Sequence, residues 1–177
     1  MIVEVDKKMA GVARLAIAIL FLPLSLQSTQ RIQAVDDPLG VLISGKTFER
    51  GKKESKYELY KYEAYRSEGC NIQWNETHKF IENGKQILLT NQTLNVGLET
   101  LDPASLSNSK YETGRLVSFT TVRLEPRIKA RVKTVYEDLT EDSSTGVSSG
   151  YGFYLGSNDD AKKLFAELKS RIKSCKS

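Results

Sequence analysis

The sequence predicts a mainly β domain of α+β type. Six to seven antiparallel strands are expected to form a curved sheet or partly open barrel, closed by one C-terminal amphipathic helix. Short segments with alternating apolar and polar residues recur from Tyr57 onward, which is the period of half-buried strands. No long helix separates them, so neighbouring strands are predicted to run antiparallel. Residues 151–177 then combine a short aromatic strand with a helical pattern.

Turn and alternation signals place the individual strands. Tyr60, Tyr62 and Ala64 alternate with polar residues, and Gly69 ends this first regular segment. A second segment begins at Cys70 and reaches the Asn-Gly pair at 83–84, which is typical of a tight hairpin turn. Further strands are predicted within residues 86–101, 116–124, 128–134 and 151–155, with loops at 107–114 and 141–150.

The closing helix has the strongest local signals. Ser157 is a suitable N-cap, and Asp160 three positions later completes a pair resembling a capping box. Acidic residues begin the helix and basic residues end it, both of which suit the helix dipole. One apolar stripe is predicted to face the sheet: Ala161, Leu164, Phe165, Leu168, Ile172 and Cys175.

Composition divides the chain into residues 1–34, a hydrophobic leader; 35–56, a linker or loop with a possible short strand at 40–43; and 57–177, the β domain. The leader contains an apolar run at 15–26 behind Lys7, Lys8 and Arg14. Twelve helical residues span about 18 Å, too short for a hydrocarbon core of about 30 Å. The run therefore predicts a secretory signal peptide cleaved after Ser28 or Ala34, with an uncleaved signal anchor as the alternative.

Only two cysteines occur, Cys70 and Cys175. In an exported protein an even pair favours a disulfide, and the stripe turns Cys175 toward the sheet. Closing so long a loop stabilises by up to about 4.7 kcal/mol in the chain-entropy model. Two independent buried thiols are the alternative. With a single histidine, this pair cannot build a zinc site, and no cofactor or metal is predicted.

Charge limits the classes of partner. The net charge is +4, and the first 34 residues contain four cations against two carboxylates, so about half of it belongs to the leader. Nucleic-acid binding needs many phosphate contacts and is not expected. Five cations do cluster in the second half of the domain, and Lys129, Arg131 and Lys133 alternate on one strand face. The basic strip comprises Arg123, Arg127, Lys129, Arg131 and Lys133.

The basic strip has two interpretations. Cations spaced about 7 Å apart suit an anionic lipid headgroup, an acidic glycan or an acidic envelope protein. A solvated strand face that protects against aggregation would have the same composition.

Enzymatic chemistry finds little support in the sequence. His78 is the only histidine, so any Ser-His-Asp or Cys-His arrangement would have to use it. Its position beside Lys79, near the predicted turn, favours a solvated structural histidine. No phosphate-binding glycine loop or nucleophile elbow occurs in the sequence. The protein is therefore not expected to be an enzyme.

Several short motifs carry a family resemblance. They lie at 69–74 (GCNIQW), 101–106 (LDPASL), 117–119 (VSF), 153–155 (FYL) and along the helix from Asp160 to Cys175. Over residues 57–176 the chain resembles exported bacterial domains of unknown function with a pleckstrin-homology-like (PH-like) fold. The resemblance implies that fold and a Cys70–Cys175 bridge, and it brings no catalytic residues.

The sequence thus predicts a non-enzymatic binding or scaffolding module, secreted or periplasmic at the cell envelope, and membrane-anchored if the leader is retained. The alternative is a carrier of small hydrophobic ligands with a lipocalin-like barrel. A carrier needs a cavity, whereas the large side chains of Trp74, Phe119 and Phe153 favour a filled interior.

Overall fold

A computed structural model describes residues 32–33, 37–52, 55–111 and 114–177. The apolar run at 15–26 and both proposed cleavage positions lie outside these residues. The strands are β1 (Ile32–Gln33), β2 (Thr47–Lys52), β3 (Lys56–Glu68), β4 (Asn71–Glu82), β5 (Lys85–Gly97), β6 (Ser107–Tyr111), β7 (Gly114–Thr120), β8 (Ile128–Tyr136), β9 (Glu141–Ser148) and β10 (Gly150–Leu155). The helices are α1 (Pro38–Ile43) and α2 (Asn158–Ser174), with three short 3-10 turns at Leu98–Thr100, Pro103–Ser105 and Val122–Leu124.

The strands form two antiparallel sheets. The large sheet has the order β1-β3-β4-β5-β8-β9, with β2 also paired to β3, and the small sheet has the order β10-β7-β6. The large sheet has β9 at one edge and is not closed into a barrel, so the predicted curved sheet with a C-terminal helix is confirmed. The chain has more strands than the six to seven predicted.

Local turn chemistry shapes the long strands. Asn83 and Gly84 adopt φ values of 51° and 76° and join β4 to β5, which confirms the predicted hairpin. In β3 the alternation predicted from Tyr62 to Ala64 is interrupted by a bulge, where Ala64 has a φ of 49°. The bulge turns Tyr65 inward, so that it is buried in place of Ala64.

The core lies between the inner face of the large sheet, the small sheet and α2. Trp74 of the large sheet packs against Tyr151 and Phe153 of β10 at centroid distances of 5.0 and 4.9 Å. Trp74, Phe119 and Phe153 are no more than 1% exposed, so large aromatic side chains fill the space between the sheets.

The C-terminal helix follows its sequence signals. The Ser157 side chain accepts a hydrogen bond from Asp160 N at 3.3 Å, and four stripe residues, Ala161, Leu164, Leu168 and Ile172, are buried. A disulfide joins Cys175, at the end of α2, to Cys70 in the turn between β3 and β4, with a Cα–Cα distance of 5.7 Å. The helix therefore packs on α1 and the small sheet and is joined to the large sheet by the disulfide.

Two segments correct the interpretation of residues 35–56 as a linker. Residues 40–43 belong to α1, because Asp37 caps Leu39 N at 2.9 Å and Pro38 occupies the first helical turn. The polar segment after it forms β2, which is held in place by the buried Phe48 opposite Tyr60. Local composition gave no sign of β2, since its partner Tyr60 lies on β3.

Three more boundaries differ from the prediction. The loop predicted at 107–114 contains β6, and the Ser/Gly-rich loop at 141–150 forms β9, which pairs with β8 from Ile128–Ser148 to Val135–Glu141. All eight residues of β9 are exposed, so backbone pairing rather than apolar burial defines this strand. The strand predicted to continue to Leu124 ends at Thr120, and a 3-10 turn follows it. Within the described part of the chain, no helix has the length and apolar character needed to cross a membrane.

Candidate anion-binding face

Twelve residues form a regular array on the outer surface of the large sheet. Each of three rows crosses β4, β5, β8 and β9 through directly opposed residues. The rows are Gln73–Asn95–Lys129–Val147, Asn75–Thr93–Arg131–Thr145 and Thr77–Asn91–Lys133–Ser143. We call this array the polar face, because every member except Val147 has an amide, hydroxyl or charged side chain.

Strand alternation explains why the polar face is separate from the core. Side chains at i and i+2 share one side of a strand, so the odd-numbered residues of β8 point outward. Ile128, at the start of β8, points the other way and is fully buried, whereas Lys129, Arg131 and Lys133 are all exposed. The alternation in the sequence correctly placed these three cations on one surface.

The remaining two residues of the basic strip lie elsewhere. Arg123 belongs to the 3-10 turn that precedes β8, and its backbone has a positive φ of 56°. Arg127 precedes β8 and is paired with Glu125. The five cations are therefore neighbours in sequence, but three lie on the polar face and two lie just before the start of β8.

Ion pairs neutralise some of the charges at the polar face, and the side with Lys129 and Arg131 keeps an excess of positive charge. Lys133 contacts Glu141 at 2.8 Å, and Lys61 contacts Glu63 at 2.5 Å beside the array. Within the described part of the chain, Lys129 and Arg131 contact no carboxylate within ion-pair distance. Arg131 lies in the central row, so an unpaired guanidinium marks the middle of the array.

Cross-strand hydrogen bonds order the neutral residues. The Thr93 hydroxyl donates to Asn75 Oδ1 at 3.0 Å, and the Thr77 hydroxyl donates to Asn91 Oδ1, also at 3.0 Å. Each bond fixes an amide whose NH₂ group can still donate to a ligand. The array thus presents oriented donors beside the unpaired guanidinium.

Two open clefts lie over the polar face. One, of about 690 Å³, extends from Glu63 across the central row to Lys133 and Ser143. The other, of about 610 Å³, includes Lys129 and Val147. They share Thr93, Arg131 and Thr145, three of the four central-row residues. Arg131 can therefore reach a ligand in either cleft.

The opposite side of the same strands contains a buried carboxylate. Glu76 is 5% exposed and accepts hydrogen bonds from Gln92 Nε2 at 2.6 Å and from the Tyr151 hydroxyl. Burial raises the pKa of Glu76, and these two hydrogen bonds only partly offset that effect. The cluster joins the two sheets through polar contacts between Glu76 and Tyr151.

The histidine also lies on this inner side. His78 stands in the middle of β4, with its Nε2 3.1 Å from Glu58 Oε2 and its ring stacked on Tyr60 at 4.4 Å. The sequence placed it near a strand end in solvent, whereas its side chain is only 24% exposed. Among the described residues, no three His, Cys, Asp or Glu side chains are grouped to hold a metal ion.

A second charged cluster was missed by the sequence interpretation. Asp37 is 1% exposed and accepts hydrogen bonds from Arg171, Ser67 and Tyr65. It joins the start of α1 to β3 and α2, which indicates a structural role. The Asp37–Pro38 pair, a helix cap followed by a proline in the first turn, was the signal that could have located it.

Comparison of the chain with protein-family models, with curated proteins and with solved structures finds no match. The resemblance to exported PH-like domains therefore stays a prediction. Function has to be inferred from the polar face itself.

Proposed function

We propose that the protein is an exported, non-enzymatic binding module of the cell envelope whose polar face binds an acidic polysaccharide. The observation that carries the proposal is the Arg131 guanidinium in the central row, which has no carboxylate partner among the described residues and lies where the two clefts meet. A guanidinium forms paired hydrogen bonds with a carboxylate, sulfate or phosphate group.

The side chains around Arg131 suit sugars. Amides and hydroxyls from Asn75, Thr93 and Thr145 surround it and can exchange hydrogen bonds with sugar hydroxyls. No aromatic side chain belongs to the array, so stacking on sugar rings does not contribute there, and charge has to supply much of the affinity. This combination favours an acidic polysaccharide over a neutral one.

Dimensions support an extended ligand. Three rows separated by about 7 Å along the strands, and four strands separated by about 4.8 Å, give a surface of about 14 by 14 Å. Such a surface fits a few sugar units of a longer chain. A lipid headgroup would occupy only a fraction of the array.

Two further features support the non-enzymatic and exported parts of the proposal. His78 lies on the inner side of the sheet, away from both clefts, which leaves them without an imidazole base. The Cys70–Cys175 disulfide is typical of proteins from oxidising compartments.

A carrier of hydrophobic ligands, the alternative from another class, would need an apolar interior cavity. The aromatic side chains between the sheets occupy that space, and the two clefts over the polar face lie outside it. Native mass spectrometry of freshly purified protein separates the two functions, because a carrier would retain its ligand.

The proposal is tested by titrating the protein with polygalacturonate, heparin and neutral dextran at several salt concentrations. Binding to one or both acidic polymers is expected, weakening as salt increases, with none to dextran. Replacing Lys129, Arg131 and Lys133 by Ser should abolish it. The matched triple variant Lys162→Ser, Lys169→Ser and Lys173→Ser removes the same charge from exposed positions of α2 and should bind normally. Equal binding by both triple variants would overturn the proposal.

A further inference from the structure

The edge strand β9 forms the rim of the clefts on one face and an edge of the large sheet. β9 pairs with β8 on one side, and no strand among the described residues pairs with its other side. Alternate residues of such a strand point their N–H and C=O groups away from the sheet. Sheets usually protect edges with lysine, proline, a bulge or a covering segment. β9 contains no lysine or proline, keeps one register along its full pairing with β8, and is exposed throughout.

Charge is distributed unequally along the β8–β9 hairpin. Its turn and the first two residues of β9 contain four carboxylates, of which Glu141 is paired with Lys133, and its other end contains three cations against one carboxylate. The acidic end comprises Glu137, Asp138, Glu141 and Asp142, and the basic end comprises Arg123, Arg127 and Lys129 with Glu125. A second hairpin in antiparallel orientation would place the acidic end of each copy beside the basic end of the other.

Exposed apolar side chains occupy the same two ends. Val122, Leu124 and Val147, at the basic end, are 40%, 62% and 59% exposed, and Leu139 in the turn is 80% exposed. The 3-10 turn with Val122 and Leu124 is attached to the end of β9, since Thr121 N donates to Ser149 O at 2.8 Å. Antiparallel pairing about Ser144 would align Leu139 of one copy with Ser149 of the other, close to that turn.

We propose that two copies of this chain associate through antiparallel pairing of their β9 strands, with the two-fold axis near Ser144. An axis perpendicular to the sheet keeps the same face outward in both copies. Glu141 of one copy then lies opposite Val147 of the other, next to Lys129 of that copy. In this arrangement the acidic end of each copy lies beside the basic end of the other, and the exposed apolar side chains of the two ends come together. The two-fold symmetry makes each contact occur twice.

The pairing also joins the binding surfaces, an aspect that rests on the proposed function. Ser143, Thr145 and Val147 of β9 form the outer rim of the clefts. Joining two rims makes one polar surface across both copies, with the Arg131 residues about 16 Å apart, because three strand spacings separate them across the sheet and two residues separate them along it. An acidic polymer long enough to span that distance would engage both copies, whereas a short oligomer would engage one.

Self-association is tested by analytical ultracentrifugation of the purified protein over a concentration series. A concentration-dependent dimer that weakens with salt is expected. Glu137→Lys with Asp142→Lys should weaken it at least about tenfold, as should Arg123→Glu with Lys129→Glu, because each makes both ends alike in charge. An equimolar mixture of the two variants should form a heterodimer. Glu68→Lys with Glu99→Lys, the same charge change at exposed positions elsewhere, should dimerise normally.

Hydrogen exchange locates the interface independently of the variants. Amides of β9 should gain protection as protein concentration rises, and amides of β6, at the edge of the small sheet, should not. A protein that stays monomeric at all concentrations, a failed heterodimer, or protection confined to another strand would each overturn the proposal.

Polymer length separates this inference from the proposed function. Heparin oligomers too short to bridge the copies should bind equally to the Glu137→Lys, Asp142→Lys variant and to its charge-matched control Glu68→Lys, Glu99→Lys, while long heparin should bind the control at least about tenfold more tightly. If short oligomers bind as expected but long heparin shows no gain in affinity from dimer formation, only the proposed dimer is contradicted. Absence of all binding in a protein that still dimerises contradicts only the proposed function.

Discussion

Arg171, in the last turn of α2, donates hydrogen bonds from both terminal nitrogens to the fully buried carboxylate of Asp37, 134 positions earlier in the chain. The Arg171 side chain is 23% exposed and is also held by Glu167 at 3.0 Å. The pair fastens α1 to the helix that closes the domain. It acts together with the disulfide, since both hold the C-terminal half of α2.

Replacing Arg171 by Met should lower the free energy of unfolding by about 3 kcal/mol, because the Asp37 carboxylate stays buried without its cation. Ser67 and Leu39 still donate to Asp37, so the loss falls at the lower end of the usual range for a broken buried pair. Urea denaturation measures the change. Lys173→Met removes an exposed cation from the same turn and should change stability little; equal losses in both variants would contradict this role for the pair.

Asp37 and Glu76 should impose opposite pH dependences on stability. Burial opposes a low pKa for Asp37, but the Ser67 hydrogen bond and the Arg171 charge outweigh it and hold the pKa below its usual value of 3.8. Its contribution is therefore present above that pH and is lost as pH falls through the lowered pKa. For Glu76, burial raises the pKa above 4.5, so its contribution is present below pH 4.5 and is lost as pH rises.

The Glu76→Gln variant isolates the pH-dependent contribution of Glu76 to stability. The variant lacks the ionisation that disfavours the folded state, so its stability relative to wild type should improve between pH 4.5 and neutrality. Denaturation midpoints at several pH values give this difference. Glu99→Gln, at an exposed position, serves as the control. A constant difference between Glu76→Gln and wild type across the range would show that Glu76 ionises normally in the fold.

Removing the disulfide should destabilise the domain substantially. The bridge closes a loop with a sequence separation of 105, for which the chain-entropy model gives about 4.7 kcal/mol as an upper value. Cys70→Ala with Cys175→Ala removes the bond without leaving a free thiol, and denaturation without reductant compares the two proteins. Adding reductant should lower the stability of wild type but leave the double variant unchanged. A reductant effect on the variant would show that the agent acts elsewhere.

Ala64→Gly should stabilise the protein modestly. Ala64 has a φ of 49° at the β3 bulge, and left-handed backbone costs a residue with a Cβ about 1–2 kcal/mol. Glycine relieves that strain but gains conformational freedom in the unfolded chain, which leaves a net gain below about 1 kcal/mol. The thermal midpoint should rise. Ala130→Gly in regular β8 should lower it, so a fall in both variants would argue against strain at the bulge.

Local signals in the sequence predicted part of this architecture. The Ser157 cap with its apolar stripe predicted α2, and Asn83–Gly84 predicted the β4–β5 hairpin, because each signal lies within the element that it defines. The α1 helix is only six residues long, and its fixing partner Arg171 is distant in sequence. β9 has the composition of a loop and depends on its pairing with β8. Short-range patterns contain neither the pairing of β9 nor the distant partner of α1, although the Asp37–Pro38 pair marks where α1 begins.

The polar face was only partly predictable for a related reason. Alternation placed Lys129, Arg131 and Lys133 on one side, but the rows depend on register between strands. Counting back from the hairpin turn would set Gln92 opposite Asn75. A bulge between Phe80 and Ile81 shifts the register by one residue, so Thr93 is the actual partner. The rows of the polar face depend on this shift, which no local pattern in the sequence indicates.

The most direct test of the central claim is an NMR titration of isotope-labelled protein with short heparin oligomers. Chemical-shift changes should concentrate on the central row, at Thr93, Arg131 and Thr145, and should disappear in Arg131→Gln while persisting in Arg115→Gln, a change on the small sheet. Shifts that concentrate on another surface, or that survive unchanged in Arg131→Gln, would contradict an acidic-polysaccharide site on the polar face.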